Sequence, residues 1–247
     1  MKQLITIPIL IAASYGLVVA QDNSASIQQI GNGHEAAIEQ AGALNVATVE
    51  QQAANPDRNE AFVTQEGDGN FAALNQSRGG SIRSLMEVDQ IGDNNEAYQT
   101  MRFMGSSRAS LKINQVGDDN FASQEQYDGR SGQYAKVDQQ GDNNHAEQVQ
   151  DNFGTGQRFY ADIYQEGDGN QAFQTQDGDG GDLNALIDQE GDGNFASQTQ
   201  NSDASHESNV WQTGNDNSAI VDQFGSGHLN NVWQTGNGNS AVVNQSN

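Results

Sequence analysis

The residues that could do chemistry are carboxylates set among glycines, and a few histidines. Glu-Gly-Asp-Gly-Asn stands at residues 66–70, 166–170 and 190–194. Stacked about 5 Å apart, such carboxylates would suit a hard cation, and calcium is the one metal these runs suggest. The plainer reading is a solvated turn in which glycine and asparagine serve geometry alone, because the acidic position Asp68 becomes Ala43 or Asn215 elsewhere. Histidine occurs only at His34, His145, His206 and His228. His34 and His228 follow a Gln-x-Gly where asparagine follows it in other runs, which favours a turn role over acid–base chemistry. No Ser/His/Asp arrangement repeats, and the acids are spread along the chain rather than converging. No enzyme activity, catalytic residue or cofactor is expected. Cysteine is absent, so neither disulfides nor thiolate metal sites hold the fold.

What positions these runs is a repeat, and a period of this size means a solenoid or an array. Q-x-G-x-x-N-x-A-x-x-x-Q recurs along the chain. Its first glutamine is Gln40, Gln65, Gln90, Gln115, Gln139, Gln165, Gln189, Gln212 and Gln234. Its asparagine is Asn45, Asn70, Asn95, Asn120, Asn144, Asn170, Asn194, Asn217 and Asn239, with an alanine two residues later each time, from Ala47 to Ala241. Its closing glutamine is Gln51, Gln76, Gln126, Gln150, Gln176, Gln200, Gln223 and Gln245, and only Met101 departs.

Upstream of each first glutamine the pattern alternates with period two, the mark of a strand with one buried face. Two residues before it stand Ile38, Val63, Val88, Ile113, Val137, Ile163, Ile187, Val210 and Val232, all β-branched. Four before it the column is apolar until Ser208 and Asn230. Glu39, Thr64, Asp89, Asn114, Asp138 and Asp188 alternate with these and should face water. The unit is therefore strand, turn of constant length, strand, and a second turn of variable length. In the constant turn, glycine and asparagine are expected to supply the positive φ that reverses the chain. The second turns hold most of the basic residues (Arg58, Arg78, Arg83, Arg102, Arg108, Arg130, Arg158) and should loop outward. A half unit opens the array, with Ala25, Ile27 and Gln29 as its second strand. Nine such units, from residue 21 to 247, predict an all-β, two-strand-per-rung β-solenoid with glutamines stacked inside. Trp211 and Trp233 should stack outward on successive rungs, and Phe71, Phe121 and Phe195 should lie on the outer face.

Residues 1–20 read as a secretory signal peptide: Lys2, an apolar run broken by Pro8 and Gly16, then small residues at the boundary. No transmembrane anchor is expected. The formal charge of −23 makes nucleic acid an unsuitable partner, since phosphate would be repelled.

With these columns in place, the chain resembles the curlins, subunits of bacterial curli fibres, whose repeats carry S-x5-Q-x-G-x-x-N-x-A-x3-Q. The resemblance spans Ala25 to Gln245. It implies a secreted protein that polymerises with itself into an amyloid-type extracellular fibre for biofilm matrix and cell adhesion. It also implies an outer-membrane secretion pore and a nucleator subunit as partners, and the regularity of the columns favours the major fibre subunit over the nucleator. The family's serine is not kept as a column: that position is read as His34, Asn59, Leu85, Ala109, Gln133, Phe159, Leu183, Glu207 and Leu229. The glycine-rich export segment is reduced to Gln21-Asp22-Asn23-Ser24. The alternative from another class is a monomeric surface solenoid that binds calcium or glycan. A monomer of that kind would need caps over its end strands, and the sequence offers none from Ala241 to Asn247.

Overall fold

Period-two alternation with β-branched and alanine residues on one face makes strands, and the glycine turns make them return. The structure, a computed structural model, describes residues 22–31, 33–52, 59–77, 84–102, 109–127, 132–153 and 158–247. The expected leader and the turn residues Arg58, Arg78, Arg83, Arg108 and Arg130 lie outside these. Among the described residues, nineteen strands wind into two parallel sheets.

The first sheet holds ten strands: β1 (Ser24–Ile30), β3 (Val46–Gln52), β5 (Phe71–Ser77), β7 (Glu96–Arg102), β9 (Phe121–Tyr127), β11 (His145–Asn152), β13 (Gln171–Gly178), β15 (Phe195–Ser202), β17 (Ser218–Gly225) and β19 (Ser240–Ser246). The second holds nine: β2 (Glu35–Ala41), β4 (Asn59–Glu66), β6 (Ser84–Ile91), β8 (Ser110–Val116), β10 (Gln133–Gln140), β12 (Phe159–Glu166), β14 (Leu183–Glu190), β16 (His206–Thr213) and β18 (Leu229–Thr235). Each strand pairs in parallel with the strand two further along the chain, and the register has no slip. Gln40 lies beside Gln65, Gln65 beside Gln90, and so on to Gln212 beside Gln234. The expected all-β, two-strand-per-rung solenoid is the fold.

The core is a single narrow slab between the sheets. Val63, Val88, Ile113, Val137, Ile163, Ile187 and Val210 line it from one side, and the alanine column from Ala47 to Ala219 from the other. The alanines are small where the facing glutamine crosses: Gln65 Nε2 donates to the carbonyl of Val46, next to Ala47, and Gln90 Nε2 to that of Phe71, next to Ala72. A larger residue there would collide with the amide.

The column near the start of the first strand is corrected by the register. Phe159 lies beside Leu183 and Leu183 beside His206, while Ser84 lies beside Asn59. The buried position is thus held by Ser84 and His206, and not by Leu85 and Glu207, which point outward. By the same step His228, whose ring lies 5.0 Å from that of His206, stands there rather than Leu229.

Candidate functional site

The turns decide how closely rungs approach. The first glycine of each constant turn, from Gly42 to Gly236, has φ between 103° and 118°. A Cβ on Gly67 would lie 2.1 Å from the carbonyl oxygen of Gly92, so successive turns touch backbone to backbone. The second left-handed position is not the column asparagine, as expected, but the residue before it: Leu44, Gly69, Asn94, Asp119, Asn143, Gly169, Gly193, Asp216 and Gly238. That frees the asparagine for another task. Its Oδ1 accepts the backbone N–H of the next rung's asparagine, as Asn45 does from Asn70 at 2.9 Å, and its Nδ2 donates to the next rung's glycine carbonyl, as Asn70 does to Gly92 at 2.7 Å. The same pair of bonds recurs up to Asn217. Asn70, Asn95, Asn120, Asn144, Asn170 and Asn194 are buried with it.

The first-glutamine column is one unbroken ladder. Nε2 of each donates to Oε1 of the next at 2.8–2.9 Å, from Gln40 through Gln65, Gln90, Gln115, Gln139, Gln165, Gln189 and Gln212 to Gln234. The closing-glutamine ladder starts one strand earlier, with Gln29 donating to Gln51 and Gln51 to Gln76. At Met101 the donor from Gln76 meets a thioether sulfur at 3.9 Å. The ladder resumes from Gln126 through Gln150, Gln176, Gln200 and Gln223 to Gln245. The second amide hydrogen crosses the slab to a main-chain carbonyl of the other sheet, as Gln150 does to Tyr134 and Gln176 to Tyr160. Glutamines such as Gln51, Gln150, Gln176, Gln200 and Gln223 therefore bond both along the stack and across it.

A third ladder was not anticipated. Gln99, Gln124, Gln148, Gln174 and Gln198 stack at 2.8–3.1 Å in a column that holds Val49 and Leu74 before them and Val221 and Val243 after. The direction of all three ladders is the same, and it leaves a signature: Gln99 Oε1, just after Leu74, and Gln126 Oε1, just after Met101, are buried without a partner. A run of stacked amides costs one orphan acceptor at its start, however long it is.

The acidic column also has a structural duty. Asp68, Asp93, Asp118, Asp142, Asp168 and Asp192 each use Oδ1 to accept the backbone N–H of the same position one rung earlier, at 2.7–3.0 Å. Asn215 and Asn237 do the same. Among the described residues no group of three or more His, Asp or Glu side chains is placed to hold a metal ion.

Outside the slab, aromatic rings follow one another on six successive rungs of the first sheet. Phe71, Tyr98, Phe121, His145, Phe173 and Phe195 have centroids 4.6–5.8 Å apart. Trp211 and Trp233 stack at 4.1 Å on the second sheet, as expected. The carboxyls of Asp89, Asp162 and Asp188 are pushed up by partial burial between neighbouring side chains, Asp188 further by Glu190 and Glu166. Burial pushes the Tyr127 hydroxyl up to about 12, helped by its hydrogen bond to Glu125. Burial holds the His206 imidazole below its usual value, with His228 adding to the effect.

The two ends complete the site. β1 and β19 each have a neighbour on one side only, as do β2 and β18. Among the described residues, Gln234 and Gln245 have no further amide ahead of them at the β18/β19 end, and Gln29 and Gln40 have none donating to them at the β1/β2 end. One end thus presents ladder donors and the other ladder acceptors.

Fold and ladders together define a class: a two-sheet parallel β-solenoid whose rungs are joined by stacked side-chain amides. Within that class, residues 20–52 and 214–246 match the family model described as the curlin associated repeat. The chain is a curlin-like repeat protein. No curated protein and no solved structure matches it.

Proposed function

We propose that this protein is the structural subunit of an extracellular curli-type fibre, growing end to end by strand addition and serving biofilm matrix and cell adhesion. The observation that carries the reading is the complementarity of the ends: ladder donors on Gln234 and Gln245 face one way, ladder acceptors on Gln29 and Gln40 the other. Unpaired strand edges are a liability that monomeric proteins cover or charge. Contact between unlike ends does not close on itself, so it yields filaments rather than a fixed oligomer. Export by a leader at residues 1–20, passage through an outer-membrane pore and a start on a nucleator subunit belong to the same reading and rest on the resemblance.

Incubation of the purified protein tests it. Thioflavin fluorescence should rise, and fibre diffraction should show spacings of about 4.8 and 10 Å. Replacing Gln40, Gln65 and Gln90 together by leucine should slow assembly at least tenfold. A wild-type protein that stays monomeric would remove the reading, and a triple variant that assembles at the normal rate would remove the ladders from it.

A further inference from the structure

Among the described residues the two sheets are unequal, ten strands against nine. The first and last described strands, β1 and β19, both belong to the first sheet. Along the axis the strands alternate between sheets as the chain winds. If β19 of one copy were laid on β1 of the next, two first-sheet strands would follow each other with no second-sheet strand between them. A gap one strand wide, about 4.8 Å, would open between β18 and the next copy's β2 at every junction. The backbone groups of both strands would face that gap unpaired.

Alternation is restored if β1 leaves. β19 then pairs with the next copy's β3, and β18 with its β2. β19 fits that place. Ser240, Ala241 and Gln245 repeat Ser24, Ala25 and Gln29, and Val243 stands where Ile27 packs. The side-chain bonds that β1 and its preceding residue make to the next rung come from three atoms. Asn23 Oδ1 accepts the Asn45 N–H at 2.9 Å, Asn23 Nδ2 donates to the Gly42 carbonyl at 3.0 Å, and Gln29 Nε2 donates to Gln51 Oε1 at 2.8 Å. Asn239 and Gln245 carry the same atoms in the same columns. The exchange also adds what β1 cannot supply: a second-sheet strand for β2, a donor from Gln234 to Gln40, and a carbonyl on Thr235 for the Gly42 N–H, as Thr213 provides for Gly236 at 2.9 Å.

We infer that β1 is a placeholder, holding the growth edge of its own chain until β19 of a second copy displaces it. The inference rests on the fibre reading above. Growth exchanges one seven-residue parallel strand for another and gains the β18–β2 pairing, so covering the edge in the free chain does not block addition.

Cysteines placed on exposed outward positions distinguish the two junctions, because the chain has none of its own. Ser26 and Thr48 are paired neighbours on β1 and β3, at a spacing a disulfide can bridge. The oxidised Ser26→Cys, Thr48→Cys chain should extend wild-type seeds at least tenfold more slowly, and reductant should restore the rate. In mixed fibres, Thr48→Cys chains should cross-link to Val242→Cys chains on a non-reducing gel, while Ser26→Cys chains should not. Extension of the locked chain at the wild-type rate, or a Ser26–Val242 cross-link in place of the Thr48–Val242 one, would show that β1 stays in the fibre and overturn the exchange alone. Absence of any cross-β fibre from the wild type would instead overturn the fibre reading beneath it.

Discussion

Met101 sits where eight other units and the opening half unit have a ladder glutamine, and the damage is confined to two atoms. Gln76 Nε2 is left with a sulfur at 3.9 Å, and Gln126 Oε1 is buried with no partner. Met101→Gln should repair both at once, adding about 1 kcal/mol of stability, read as an unfolding midpoint raised by about 2–4 °C. An unchanged midpoint would mean the ladder bonds are isoenergetic with packing. The reverse change tests the asparagine column. Asn120→Ala would strip the partner from the Asn144 N–H and the Gly141 carbonyl, at about 1–3 kcal/mol. The two columns were legible because identical residues recur at identical offsets. The third glutamine ladder was not, because Val49, Leu74, Val221 and Val243 share its column and make it look merely apolar at both ends. In a stack this costs only the orphan oxygen on Gln99.

Within one turn, two glycines do different work, and sequence spacing shows only one of them. Gly167 has φ 110° and a Cβ there would lie 2.4 Å from the carbonyl oxygen of Gly191; Gly169 has φ 68° and nothing within 4 Å. Gly167→Ala should destabilise by more than about 3 kcal/mol, since backbone cannot retreat from backbone without opening the rung. Gly169→Asn should cost less than about 1 kcal/mol, because asparagine tolerates this region and already occupies the same position as Asn94 and Asn143. Thermal midpoints of the two variants check the contrast, and equal losses would contradict it. The sequence pointed to glycine and asparagine as joint suppliers of positive φ, and the structure gives that role to the residue before the asparagine. The misreading has a physical source: asparagine suits both a left-handed turn and a backbone-bonding ladder, and only its neighbours in space say which. The slip of one residue at Ser84 and His206 arose at the same scale, where second turns of unequal length hide the start of the strand.

For the molecule as a whole, acidity should favour the folded stack. Asp89, Asp162 and Asp188 have pKa values raised above the ordinary 3.8 by burial, so the folded form holds their protons more readily than the unfolded one. As pH falls from neutral through those raised values towards 3.8, stability rises. His206 acts in the opposite sense: its pKa lies below 6.5, so its contribution is present above that value and is lost as pH falls through it. The thermal midpoint of the folded chain should therefore rise between pH 7 and the acidic range. The triple change to asparagine at 89, 162 and 188 should flatten the profile by raising the neutral-pH midpoint. A profile that is unaltered by the triple change would place the pH dependence elsewhere in the chain's charge of −23.

Every glutamine-ladder bond joins residues only 22 to 26 apart, whichever rung it belongs to. Duplication of one unit in the gene therefore creates contacts of a kind already present and leaves the others at their former separations. Loop closure is no more costly in a long array than in a short one. Rung number is in this sense an inherited quantity that changes in whole steps, whereas loss of a single residue inside a strand would turn the side chains after it in that strand to the wrong face.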